Sequence, residues 1–360
     1  MTIPAIVPSL PRILNRFGSI SLWLLATLHL LVLASLLLVL ATISPAAAAE
    51  ACSGKNLLAA LKRDDPQRYA QVVEEAGKIA NGEGTFWRIE REGTAPSYLL
   101  GTMHVADPRV LAMPAGAAEA HAKARMIVIE SDEILDQKKA AAALFAKPEL
   151  TMFTDGRSME SLLSADDLAV LEAGLKKRGL VLSAVSRMKP WMLAGFVAKP
   201  LCETDLTTEG VAFLDKKIAL DAITAGKPVK GLETLAEQLE AMARLPIEFH
   251  LQALVETIRL GDRMNDVVET MTQLYLAGQT GLTMPAMKAL TPSASGGDES
   301  TYAAFESAVI SERNIRMAER AAPLLAEGGV FIAVGALHLP GEKGLVELFR
   351  KQGFEVTRVQ

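Results

Sequence analysis

Two stretches near opposite ends of the sequence share one construction: a short apolar run stops at a glycine and delivers a histidine three residues later. Residues 97–108 read SYLLGTMHVADP and residues 331–341 read FIAVGALHLPG, so Gly101-Thr-Met-His104 and Gly335-Ala-Leu-His338 end two candidate strands. Apolar runs of this kind suit strands covered on both faces, as in a parallel sheet packed between helices. A polar residue at the carboxyl end of such a strand sits where open α/β sheets keep their ligand crevices. The echo therefore predicts a sheet assembled from both ends of the chain, with two imidazoles brought together. Each glycine is expected to let the backbone leave its strand sharply and to leave the imidazole unshielded.

The rest of the pattern supports that frame. Residues 55–80 read as helix, restarted at Asp65-Pro66. TFWRIE at 85–90 alternates and pairs with 97–100 as a hairpin. An alanine-rich helix over 114–124 leads to the apolar run Met126–Ile129, which ends in Glu130 and completes a βαβ unit. Helices dominate 135–225. A short strand at 228–231 leads into Leu232-Glu233-Thr234, and further helices fill 232–327, with a polar loop at 291–300. A strand at 329–335, a helix over 342–352 and a final strand at 354–359 close the chain. The fold class is α/β (α+β): a central mixed sheet formed from both ends, flanked by helices, with a large helical insertion over 135–225. Residues 50–360 are expected to form a single domain.

Residues 1–49 stand apart. Arg12 and Arg16 precede an apolar run from 20 to 43, then Pro45 and the alanines 46–49, with no acidic residue before Glu50. That is a secretory signal peptide; the run also reaches the ~20 residues that span a bilayer, so an uncleaved anchor competes. Either reading puts the body outside the cytoplasm: periplasmic, secreted, or tethered to the cytoplasmic membrane by the N-terminal segment. Without the leader, which removes two of the 37 basic residues and none of the 42 acidic ones, the net charge is −7. That balance argues against nucleic acid as a partner. In an oxidising compartment the two cysteines, Cys52 and Cys202, read as one disulfide. It would close a loop of about 150 residues and contribute roughly 3–5 kcal/mol; two unrelated buried thiols are the alternative.

His104, Glu130 and His338 all stand at predicted strand ends, as does Glu233. Two neutral imidazoles and a carboxylate suit a catalytic divalent ion with a position left open for water. Mn, Co and Zn all accept that donor set. Glu130 would be the third ligand or the base that takes a proton from bound water. Arg313, opening the helix before the second motif, either orients a carboxylate or substrate or pairs at the surface with Glu312 or Glu306. His121 is expected at a helix surface, and His250 in the core as a satisfied residue. Lys189-Pro190-Trp191 is read as packing rather than an aromatic platform. No G-x-S-x-G, H-E-x-x-H, Walker A or dinucleotide fingerprint is present.

The chain resembles the TraB/PrgY/GumN family, to which the Tiki metalloproteases are related. The residues that carry this are Leu99-Leu-Gly-Thr-Met-His104 with Asp107-Pro108, Ile129-Glu130, Gly231-Leu-Glu-Thr234 with Glu237-Gln238, Arg313-Asn314, and Val334-Gly-Ala-Leu-His-Leu-Pro-Gly341. The resemblance implies a GxxH motif near each end, a glutamate and an arginine at one site, and metal-dependent peptide hydrolysis. It assigns His104, Glu130 and His338 to the metal-centred site and Arg313 to its support, with Gly101, Gly335 and Glu233 as further support. The expectation is thus an extracytoplasmic metal-dependent hydrolase acting on a peptide or protein. Its competitors are a protein that sequesters a peptide, metal or haem without turnover, and a metal-free hydrolase with a histidine base.

Overall fold

The structure, a computed structural model, describes residues 54–200, 202, 210–291 and 299–359. The leader, Cys52 and most of the 291–300 loop lie outside these residues, and among the described ones no helix is long and apolar enough to cross a membrane. Six strands form one sheet: β1 (Phe86–Glu90), β2 (Ser97–Thr102), β3 (Met126–Ile129), β4 (Val229–Gly231), β5 (Val330–Gly335) and β6 (Glu355–Arg358). Their order across the sheet is β4-β3-β5-β2-β1-β6. The first four in that order run parallel, and β1 is antiparallel to both β2 and β6. The two GxxH strands, β2 and β5, are therefore direct neighbours, with Gly101 beside Val334 and Thr102 beside Gly335.

The strand sequences explain the layering, because successive side chains point to opposite faces. Val330, Ile332 and Val334 join Leu99 and Val128 on one face, against Met317, Ala321 and Leu325 of the Glu312–Glu327 helix and Phe349 of the Leu345–Lys351 helix. Phe331 and Ala333 join Leu100, Ile127 and Ile129 on the other, against Ala117 and Ala120 of the Ala117–Lys123 helix and Leu214 and Ile218 of the Leu214–Thr224 helix. Each such buried aliphatic contributes roughly 1.5–3 kcal/mol. Between β3 and β4 the chain runs through helices. A separate apolar cluster joins Leu171 and Leu175, Leu193 and Val197, and Leu251 and Leu254. Trp191 is buried in that region with its indole N–H donated to Leu150 O at 2.9 Å, which is packing.

Three local expectations are corrected. The helix expected over 342–352 starts at Leu345, because Gly341 takes φ +93° and a turn precedes it. The last of the helices expected within 232–327 is interrupted: Glu299–Phe305 passes through a π-helical turn, Glu306–Ser311, before Glu312–Glu327. His121, expected at a surface, is buried; its Nε2 lies 3.1 Å from Ile218 O and its ring meets the edge of Phe331. An alanine-rich helix looks amphipathically neutral in sequence, and the Leu214–Thr224 helix that covers it comes from much later in the chain. His250 is the satisfied core residue expected, 2.8 Å from Met242 O.

Candidate active site

Register brings four chemical residues to one edge of the sheet. Ile129 lies beside Ala333 of β5 and Gly231 of β4, so Glu130, Glu233, His104 and His338 all leave the carboxyl ends of parallel strands. Both glycines permit close approach of neighbouring atoms. A Cβ on Gly101 would lie 2.9 Å from Leu339 Cδ2 and 3.0 Å from Ala336 Cα, both in the second GxxH turn. A Cβ on Gly335 would stand 3.1 Å from Glu130 Oε1. Neither glycine has a positive φ; β5 nonetheless ends at Gly335 and passes directly into the 3-10 turn Ala336–His338, and the two GxxH turns interlock.

Glu130 is buried and held on every side. Its Oε1 accepts the Gly335 N–H at 2.7 Å; its Oε2 accepts from Arg313 Nη2 at 2.7 Å and from Gln238 Nε2 at 3.1 Å. Burial works to raise its carboxyl pKa, but the surrounding imidazoles and guanidinium outweigh that and hold it at about 2. Arg313 is not a surface charge. It lies between two strand-end carboxylates, donating through Nε to Glu233 Oε2 at 2.9 Å as well as to Glu130, and its side chain is only 10% exposed. Glu233 also receives Arg316 at 3.1 Å; burial nonetheless raises its pKa, partly offset by Arg313. The π-helical turn lends Val309 O to Arg313 Nη1 at 3.2 Å, a placement of the sort such turns often serve.

His338 is buried, and Asn314 sets its tautomer. Asn314 Nδ2 donates to Lys343 O at 2.9 Å, which turns Oδ1 toward His338 Nδ1 at 2.6 Å. An amide oxygen only accepts, so Nδ1 carries the proton and Nε2 keeps its lone pair. That nitrogen stands 3.6 Å from Glu130 Oε1. Burial, with Arg313 and His104, lowers its pKa to about 4 against the pull of Glu130, so the ring is neutral near pH 7. His104 differs. Its side chain is 57% exposed, its ring lies against Phe213, and its Nε2 is 3.4 Å from Asp215 Oδ2. Crowding around the ring works to lower its pKa, and Asp215 foremost, then Glu130, raises it to about 9.

His104, Glu130, Arg313 and His338 line one cavity of about 360 Å³, whose other walls include Met271, Met287, Phe305 and Ile310. Its donor set fits a divalent ion in chemistry: a deprotonated imidazole nitrogen beside an ionised carboxylate. Ligands bound at 2.0–2.2 Å to a tetrahedral ion stand about 3.4 Å apart, close to the His338–Glu130 separation. The three expected ligands are not gathered into one cluster, however. Among the described residues, no three His, Cys, Asp or Glu side chains lie close enough together to hold a metal ion. The site consists instead of two nitrogen–oxygen pairs, His338 with Glu130 and His104 with Asp215. Asp215 lies in no motif that singles it out; Thr102, Gln238 and Asn314 stand inside stretches that carry the family resemblance, but nothing in the sequence gave them a role.

Comparison with known proteins identifies the family. The chain is 24% identical over 334 residues to "Metalloprotease TIKI homolog" of Nematostella vectensis, covering 81% of this chain and 70% of that protein. It is 24% identical to "Metalloprotease TIKI2" of Xenopus tropicalis and to "Metalloprotease TIKI1" of Homo sapiens, in each case over 75% of this chain. It spans only 58% and 61% of those two relatives' own lengths. No solved structure matches it. The model of the TraB/PrgY/gumN family matches residues 85–358, from the first strand of the sheet to the last, and the chain belongs to that family.

Proposed function

We propose that the chain is an extracytoplasmic, metal-dependent hydrolase that cleaves peptides. The observation that carries the reading is His338 Nε2, unprotonated because Asn314 takes the other ring nitrogen, beside the ionised Glu130 in a cavity shared with His104. His338 and Glu130 would hold the ion, and His104 would complete the donor set from the same cavity. A divalent ion there supplies Lewis acidity and a bound water of lowered pKa. Glu130, with its pKa near 2, is a poor proton acceptor at neutral pH, which favours the ligand role over the base role. Arg313 holds Glu130 and Glu233 in place, and with both carboxylates bound it is committed to the scaffold. The apolar walls, Met271, Met287, Phe305 and Ile310 among them, would accept side chains of a peptide. The relatives' printed name, metalloprotease, supports the reaction class.

The test is cleavage. A peptide library incubated with the purified body and Mn²⁺, Co²⁺ or Zn²⁺, read by mass spectrometry, should give products that vanish with chelator and in His338→Ala. Binding without products would replace hydrolysis with sequestration, and products that survive chelation would point to metal-free chemistry. The location belongs to the proposal too: a leader in residues 1–49, cleaved or retained as an anchor, with Cys52 and Cys202 joined in the oxidising compartment. N-terminal sequencing of the exported protein and thiol alkylation before and after reduction check both.

A further inference from the structure

Asp215 belongs to no motif, yet it is 4% exposed and lies against an imidazole that is more than half exposed. Its Oδ1 accepts the Thr102 hydroxyl at 2.7 Å, and Thr102 is the last residue of β2, two positions before His104. Its Oδ2 is buried and has no hydrogen-bond partner among the described residues; it lies 3.4 Å from His104 Nε2. A buried carboxylate oxygen left unpaired costs free energy that a fold tolerates where the group has other work. The Leu214–Thr224 helix delivers this oxygen to the ring, and Leu214 and Ile218 anchor that helix on the sheet.

We propose that Asp215 is a positioning residue for His104: it engages the ring at Nε2, so that His104 presents Nδ1 as its free nitrogen while His338 presents Nε2. The contrast rests on partners. His338 is held at Nδ1 by Asn314; no described residue engages His104 Nδ1. A histidine that ligates a metal through one nitrogen commonly gives its other N–H to a carboxylate, which fixes ring orientation and tautomer. The inference builds on the metal reading of the site, and it assigns which atom of each ring the ion would meet.

The experiment uses zinc alone as the probe and protein labelled with ¹⁵N at histidine. In the zinc-loaded protein, long-range ¹H–¹⁵N correlations should show an intact Nε2–H with coordinated Nδ1 for His104, and an intact Nδ1–H with coordinated Nε2 for His338. Asp215→Asn should weaken zinc affinity by about 10–100-fold. Thr102→Val, which removes only the hydroxyl that pins Oδ1, should weaken it by about two- to tenfold, and it serves if Asp215→Asn does not fold. Coordination of His104 through Nε2, or wild-type zinc affinity in both variants, would overturn the proposal. If the wild type takes up no zinc, the metal reading fails on its own. The same spectra recorded without metal, at a pH where His104 is neutral, then decide the inference: an Nε2–H tautomer upholds it and an Nδ1–H tautomer sinks it.

Discussion

The two GxxH turns are alike in sequence and opposite in environment. His338 is 7% exposed, neutral, and tied through Asn314 to the Lys343 carbonyl. His104 is 57% exposed, tends to protonate, and rests on a carboxylate that arrives from another helix. A motif fixes where an imidazole leaves the sheet, and the partners that arrive from elsewhere decide its proton and its free nitrogen. When two titratable groups at one site are pushed apart in pKa, they are suited to different tasks. The His338 half is built into the core through Glu130, Arg313 and Glu233. The His104 half faces the cavity on a single buried support.

If that contrast holds, changes on the His338 side should cost stability as well as function. Arg313→Ala takes the shared cation from two strand-end carboxylates, leaving Glu130 with none and Glu233 with Arg316 alone, and urea unfolding should show a loss of about 3–5 kcal/mol. Arg313→Lys keeps the charge but lacks the planar fork that reaches both Glu130 and Glu233, so its loss should be intermediate. A value for Arg313→Ala within about 0.5 kcal/mol of wild type, the range of ordinary surface changes, would remove the network from the account.

Next in size is Gly101→Ala. The added methyl meets Leu339 Cδ2 at 2.9 Å and the Ala336 backbone at 3.0 Å, and overpacking of this kind costs about 1–3 kcal/mol. Because the clash falls on the second GxxH turn, the chemical shifts of His338 should move as well; shifts confined to the His104 turn would deny the interlock. For the histidines themselves, His338→Ala strands the Asn314 oxygen and should destabilise by about 1–3 kcal/mol. His104→Ala, at an exposed ring, should stay within about 1 kcal/mol.

The smallest effect is in pH. In chelator-treated protein His338 has a folded pKa near 4, below its ordinary 6.5. The unfolded chain therefore takes the proton first, and stability is lost as pH falls from about 6.5 to about 4. Glu130, depressed from 4.5 to about 2, extends that loss at lower pH. His104 is raised from 6.5 to about 9, so its contribution is present below about 6.5 and fades as pH rises to about 9; solvent screening keeps it small. Melting curves across this range should lose part of their acid-side slope in His338→Gln and part of their alkaline-side slope in His104→Ala. The reverse assignment would mean the two environments have been exchanged.

Much of this was legible in the sequence. The apolar runs at Met126–Ile129 and Val330–Gly335 fixed strands, and the residues after them fixed Glu130 and His338 at one edge. Arg313 was visible as a candidate, but its commitment to Glu130 and Glu233 was not, because all three come from distant segments. Asp215 was invisible for the same reason: a lone aspartate near a helix start looks like an ordinary first-turn acid. His121 was misread because burial there depends on a helix almost a hundred residues later. The glycines stood out in the sequence, but the interlock they permit did not, since close approach between two turns is a tertiary fact.

The central claim is that the two histidines of unlike environment serve one metal centre. Metal content by mass spectrometry of the wild type, His338→Ala and His104→Ala, after equilibration with Mn²⁺, Co²⁺ or Zn²⁺ and gel filtration, tests it most directly. The account predicts about one ion per wild-type chain and loss of that ion in both variants, each of them still folded. Full occupancy retained in both variants would contradict it.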